Sequence, residues 1–257
     1  MTPKLNFRII GQGKPVIILH GLFGMLDNWL TIAKKLESVG YMSILIDQRD
    51  HGRSEHTDDF SYPLLANDLY KFMEENWIHE SYLIGHSMGG KTALKFISEH
   101  ESMISKLIIV DIGIKKYAAG HDDVFKALFA IDTDILHTRH QAENILRTRL
   151  HDNGTIQFLM KNLTRNKSGK YEWKMNLNLL YEKYDNILEE IHFEHPVSTK
   201  TLFIKGEKSD YILPEDFISI NDVLPEASFS TILNAGHWTH ADQPDELFTR
   251  IIDFITD

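Results

Sequence analysis

The sequence predicts an α/β domain, a doubly wound and mostly parallel sheet with helices on both faces. Two observations carry this: short apolar runs alternate with segments of helical period, and one interval is too long for a single crossover. The runs at 16–19, 44–46, 82–84, 107–110 and 202–204 are nearly continuous in Val, Ile, Leu and aromatics. Strands of a parallel sheet buried on both faces read in this way.

Helical faces follow these runs in turn. Trp29, Ile32, Ala33 and Leu36 share one face of a helix that should stop at Gly40. Leu65, Leu69, Phe72 and Met73 form a second, and Ala93, Leu94 and Ile97 a third. Leu247, Phe248, Ile251, Ile252 and Ile255 mark a closing helix after a last strand-like run at 228–233. Alternation of this kind argues for a doubly wound sheet.

The rhythm breaks between Gly113 and Lys200, an interval of 88 residues, far longer than one crossover helix needs. The simplest reading is a core of residues 1–112 and 201–257 interrupted by a helical insertion, 113–200, lying over the sheet edge. Phe125, Leu128 and Phe129, and later Leu177, Leu180 and Tyr181, stand at helical spacings, and residues 166–169 read as a turn.

Composition limits the function. With 42% hydrophobic residues the chain can bury a sizeable core. A net charge of -10 without a clustered basic face argues against a nucleic-acid partner. There is no cysteine, hence no disulfide, thiol nucleophile or cysteine-based zinc site. No Gly-x-Gly-x-x-Gly follows the first strand run, so a dinucleotide site is not indicated. The pairs His137 with His140 and His237 with His240 have helix-like spacing but no accompanying carboxylate constellation, so no metal is expected. Residues 1–7 lack a basic segment followed by an apolar run, and no apolar stretch reaches the roughly 18 residues of a membrane span, so the expectation is a cytoplasmic protein without a membrane association. Oligomeric state is not legible.

The sharpest motif is Gly85-His86-Ser87-Met88-Gly89, directly after one strand run and directly before a helical face. This is the context a G-x-S-x-G nucleophile elbow requires, with small neighbours that let strand and helix backbones approach. Ser87 is therefore the candidate nucleophile. A serine hydroxyl needs a base, and His237, on a loop after the last strand run, is the candidate among 14 histidines. His86 is adjacent to Ser87 and points elsewhere, as packing or support. Two aspartates could orient the histidine. Asp111 ends the strand run at 107–110, and Asp210 follows the run at 202–204, 27 residues before His237. A developing oxyanion needs two donors. The backbone N–H of Met88 is one; the second should come from the loop His20-Gly21-Leu22-Phe23-Gly24, from Leu22 or else Phe23.

His20-Gly21, Asp47-x-Arg49-x-His51-Gly52-x-Ser54, Gly85 to Lys91 and Gly236-His237-Trp238 together resemble the α/β-hydrolase superfamily along nearly the whole chain. Leu22-Phe23-Gly24 with Asp27-Asn28-Trp29, and Gly90-Lys91 with Asp111-Ile112, resemble the small bacterial YbfF-type esterases and their mitochondrial abhydrolase-domain relatives. The resemblance implies an α/β-hydrolase fold with a helical cap inserted after the sixth strand. It also implies a cofactor-free carboxylesterase acting on small to medium acyl esters, extending to thioesters, and it favours Asp111 over Asp210. The stretch from Asp47 to Ser54 would be architectural. A serine at the elbow separates the chain from dehalogenases and epoxide hydrolases, which carry aspartate there. Two other functions compete with this one. Carbon–carbon bond cleavage or a lyase step would need charged residues aimed at an acidic substrate, for which Arg49, Arg53 and Lys91 are available. A non-catalytic binding protein of the same fold should have lost Ser87, His237 or the acid, and all are present.

Overall fold

Seven strands form one sheet: β1 (Phe7–Ile10), β2 (Lys14–Leu19), β3 (Tyr41–Ile46), β4 (Ser81–His86), β5 (Ile104–Val110), β8 (Thr201–Gly206) and β9 (Ala227–Ile232). The computed structural model describes residues 2–257; Met1, part of the stretch read for a targeting signal, lies outside the described residues. Across the sheet the order is β1-β3-β2-β4-β5-β8-β9, parallel except for β1. The chain thus winds outward from β2 to β3, returns past it to β4, and winds outward on the other side. That reversal opens a crevice at the carboxyl ends of β2 and β4, the place where open α/β sheets bind ligands.

The alternation of side chains explains why both faces are covered. Val16 and Ile18 of β2 pack with Leu45, Ile84 and Ile108 against α1 (Leu30–Glu37) and α11 (Pro244–Thr256). Ile17 and Leu19 pack with Ile44, Leu83 and Ile109 against α2 (Tyr62–Glu75) and α3 (Met88–His100). The helix α1 ends where the spacing predicts, with Gly40 following at φ 87°. The short α9 (Asp216–Val223) and α10 (Thr239–Asp242) complete the core.

Three expectations change. Strand β1 carries exposed Phe7 and Ile9, so the run has none of the burial pattern that marked the others. The insertion follows the fifth strand in chain order, not the sixth: a single antiparallel edge strand precedes the parallel set, and the sheet has seven strands among the described residues. Within the insertion, the helices α4 (Asp122–Phe129), α5 (Arg139–Arg147), α6 (Asn153–Met160), α7 (Leu177–Glu182) and α8 (Tyr184–Leu188) are joined by a hairpin of β6 (Leu163–Arg165) and β7 (Tyr171–Trp173). The turn expected at 166–169 is its tip, with Gly169 at φ 82°. No helix among the described residues is long and apolar enough to cross a membrane.

Candidate active site

Ser87 sits between β4 and α3 with φ 52° and ψ -120°, a backbone that side chains rarely tolerate and that marks functional turns. Its glycine neighbours make the turn sterically feasible. A Cβ on Gly85 would lie 2.3 Å from the carbonyl oxygen of Gly89, and one on Gly89 would lie 2.5 Å from those of Leu19 and His20. The turn therefore presses the end of β4, the start of α3 and the loop after β2 together at the crevice.

The structure brings Ser87, His237 and Asp111 into one line. Ser87 Oγ lies 3.0 Å from His237 Nε2, and His237 Nδ1 lies 2.7 Å from Asp111 Oδ2. With Nδ1–H donating to the carboxylate, Nε2 is free to accept the serine proton. Asp111 is fully buried, also at a positive φ of 52°. Its carboxylate accepts the Gly206 N–H at 2.9 Å and the Ser209 hydroxyl. Three donors converge on one buried carboxylate, which fixes its position. Asp210 is exposed, and no hydrogen bond or ion pair of its side chain occurs among the described residues. Asp210 lines the wider cavity beside Ser87 but is not hydrogen-bonded to His237.

Sequence reasoning missed Ser209 and Tyr211. Ser209 stands beside the very aspartate it considered, and nothing in spacing separates a serine that supports a carboxylate from one in an ordinary loop. The Tyr211 ring stacks on the His237 imidazole with centroids 4.0 Å apart, a contact between side chains 26 residues apart.

The loop after β2 is braced by two neutral histidines. His20 Nδ1–H donates to the Gly21 carbonyl at 2.9 Å, and Nε2 accepts the Gln48 N–H at 3.0 Å. His51 Nδ1–H donates to Arg49 O at 3.0 Å, so its Nε2 accepts the Phe23 N–H at 3.3 Å. Burial pushes His20 down to about 4 and His51 to about 3. This corrects one expectation: the Phe23 N–H is spent on His51 and is unavailable to an oxyanion. The N–H groups of Leu22 and Met88 donate to no protein group among the described residues, and both residues border the cavity beside Ser87. His86 is buried, and its Nε2–H donates to the His237 carbonyl at 2.9 Å; burial holds it well below the ordinary value. It supports the histidine loop from beneath.

The stretch from Asp47 to Ser54 is structural. Asp47 accepts the N–H groups of Leu26 and Arg53 at 2.7 and 2.9 Å, and Arg49 makes a buried two-pronged pair with Asp68 at 2.6 and 2.8 Å. Arg53 is exposed and lines neither of the cavities that meet at Ser87. Two cavities meet at Leu22, Ser87, His121 and His237. The narrow one, about 60 Å³, runs between Phe158, Trp238 and His86. The wider one, about 420 Å³, lies among Tyr62, Lys91, Ile112, Tyr117 and Tyr211. Residues of the insertion wall both.

A seven-stranded sheet with a serine elbow at its reversal point and an aligned histidine and aspartate defines a hydrolase of this fold class. The chain belongs to the α/β hydrolase fold family, which it matches over residues 14–244. It is similar to a solved marine microorganism esterase, with TM-score 0.96 and 40% identity, covering 98% of this chain and 99% of that one. It is 34% identical to Esterase YbfF of Escherichia coli over 96% of this chain and 94% of that protein. It is also 32% identical to the mouse sn-1-specific diacylglycerol lipase ABHD11, over 93% and 80% of the two.

Proposed function

We propose that this chain is a serine carboxylesterase that forms an acyl-enzyme on Ser87. The observation that carries the reading is the line from Ser87 Oγ through His237 to buried Asp111, at 3.0 and 2.7 Å. The similarity to proteins named as esterases supports the bond class.

In the first half-reaction Ser87 Oγ attacks the ester carbonyl while His237 Nε2 takes its proton. The carbonyl oxygen becomes an anion between the N–H groups of Met88 and Leu22, with the amino end of α3 adding to the favourable potential. Collapse breaks the bond to the alcohol oxygen, which leaves with the proton from His237. Water then attacks the acyl-serine, giving its proton to His237, and the second collapse returns that proton to Ser87 Oγ as the carboxylic acid departs. Throughout, Asp111 holds the imidazole in the required tautomer and stabilises the imidazolium. The same steps serve a thioester, whose thiolate leaves more readily.

Residues 113–200 act as a cap whose apolar side chains limit the substrate to small and medium acyl groups. Of the charged groups that carbon–carbon cleavage would need, Arg49 is engaged with Asp68 and Lys91 with backbone carbonyls, while Arg53 lines neither cavity at Ser87. The test is reaction with a fluorophosphonate followed by mass mapping. Label on Ser87 alone is the expected result; label on another residue, or none on the folded protein, overturns the reading.

A further inference from the structure

Lys91 lies one helical turn beyond Ser87, its N–H bonded to the Ser87 carbonyl at 3.1 Å. Its side chain is 1% exposed, and a lysine is rarely buried without partners. Among the described residues no carboxylate forms an ion pair with it. Instead Nζ donates to the carbonyls of Lys115 at 2.8 Å, Leu188 at 3.3 Å and Glu189. Three carbonyl acceptors require three N–H donors, which only the ammonium form supplies. Burial pushes the ammonium down to about 7, while Glu190 and Glu189 draw it up. The rings of Tyr117 and Tyr62 lie 4.8 and 5.7 Å from Nζ, within reach of cation–π attraction.

Those acceptors belong to the two necks where the insertion leaves and rejoins the core region. The outgoing neck holds Lys115 and the returning neck holds Leu188 and Glu189. The necks also bond to each other, Tyr117 N–H to Leu188 O at 2.9 Å and Ile191 N–H to Ile114 O at 2.8 Å. Tyr62 of α2 adds a second tether, its hydroxyl donating to Ile187 O at 2.6 Å. Lys91, Tyr62, Tyr117 and Leu188 all border the wide cavity beside Ser87.

We propose that Lys91 is a positioning residue that clamps both necks of the insertion to the helix bearing the nucleophile, and so sets the width of the acyl-binding cavity. This rests on the esterase reading for its link to substrate size, but not for the clamp itself. Because all three ammonium donors are satisfied by the protein, Lys91 does not bind the substrate. The geometry makes the cavity wall move with the start of α3, so the wall and the attacking oxygen stay in register. Rigid walls lower the ordering cost of binding, and a loosened wall admits longer chains while holding short ones poorly.

The decisive variant is Lys91→Met, which keeps the length of the stem and removes every donor. Kinetics on p-nitrophenyl acetate, butyrate and octanoate are read together with fluorophosphonate labelling of Ser87 and hydrogen exchange of residues 114–118 and 187–191. Expected are a rise in KM for the butyrate of about tenfold, a flattened preference between butyrate and octanoate, faster exchange in both necks, and a labelling rate within about threefold of the parent. A folded Lys91→Met protein with parental KM, chain-length preference and neck exchange overturns the proposal and leaves Lys91 as core packing. A loss confined to esters bearing a free carboxylate also overturns it, since Lys91 is then a substrate ligand. Should Lys91→Met fail to fold, Lys91→Gln is measured in its place by the same criteria. If the parent protein does not label at Ser87, the esterase reading fails, and the exchange measurement still judges the clamp.

Discussion

The loops at the carboxyl end of the sheet and the insertion above them are held by different forces. In the loops, backbone strain and converging hydrogen bonds determine each position: Ser87, Asp111 and Phe23 all have positive φ, and Asp111 satisfies three donors at once. The insertion is held mainly by apolar side chains, with Phe125, Leu128, Leu146 and Leu180 fully or almost fully buried. Strained, hydrogen-bonded positions resist small displacement, which suits chemistry needing atoms placed to within fractions of an ångström. Apolar packing tolerates change of shape, which suits selection by size. Substitutions in the first region should therefore act on turnover, and those in the second on stability and selectivity.

The largest expected effect is that of Ser87→Ala, which removes the hydroxyl of the proposed nucleophile. Turnover of p-nitrophenyl butyrate should fall on the order of a million-fold with an unchanged melting temperature; a tenth of parental activity would exclude Ser87 as nucleophile. Next comes the contrast of the two aspartates. Asp111→Asn should lower turnover about ten-thousand-fold, because the amide cannot hold the imidazole in the same tautomer, whereas exposed Asp210→Asn should stay near the parent. Reversal of that order would move the acid to Asp210.

In the insertion, Phe125→Ala should cost about 3–5 kcal/mol, measured by denaturant unfolding. Its ring is 1% exposed and packs edge-on against Phe23, Tyr181 and Tyr184. Fluorophosphonate labelling of Ser87 in the folded fraction should persist. If labelling is lost while the fold survives, the separation of the two regions is wrong.

Acid sensitivity is shared by the two regions, since burial pushes His121 of the insertion down to about 4 as well, but the loop after β2 is braced by two such groups. His20 is buried neutral, pushed from the ordinary 6.5 to about 4. Between those values the unfolded chain binds a proton that the folded chain does not. The stability is complete above pH 6.5 and is lost as the pH falls toward 4, on the order of 3 kcal/mol. His51, pushed to about 3, adds to the loss over the same range. Melting temperature should thus decline from pH 6.5 to 4, and the slope should lessen in His20→Gln. A flat profile would mean that both imidazoles are protonated in the fold. The smallest effect concerns size: short-chain esters should be turned over faster than emulsified long-chain lipid, and equal rates would remove the role given to the cap.

Much of this was legible in sequence, and unevenly so. The buried parallel strands read clearly because both faces are apolar, while β1 did not, because Phe7 and Ile9 face outward. The elbow was legible because its glycines are demanded by contacts of 2.3 and 2.5 Å. The hairpin in the insertion was reduced to its turn, since strands of three residues are too short to show a period.

Local chemistry along the chain, then, determined the strands, the elbow at Ser87 and the loop bearing His237, because each depends on neighbours within a few residues. Only the tertiary structure decided that Asp111 partners His237, that the Phe23 N–H is occupied by His51, and that Lys91 faces inward to the necks of the insertion. Those facts depend on side chains from distant strands and loops meeting at one end of the sheet. Spacing along a chain carries no record of which of two carboxylates a fold will bury beside a histidine.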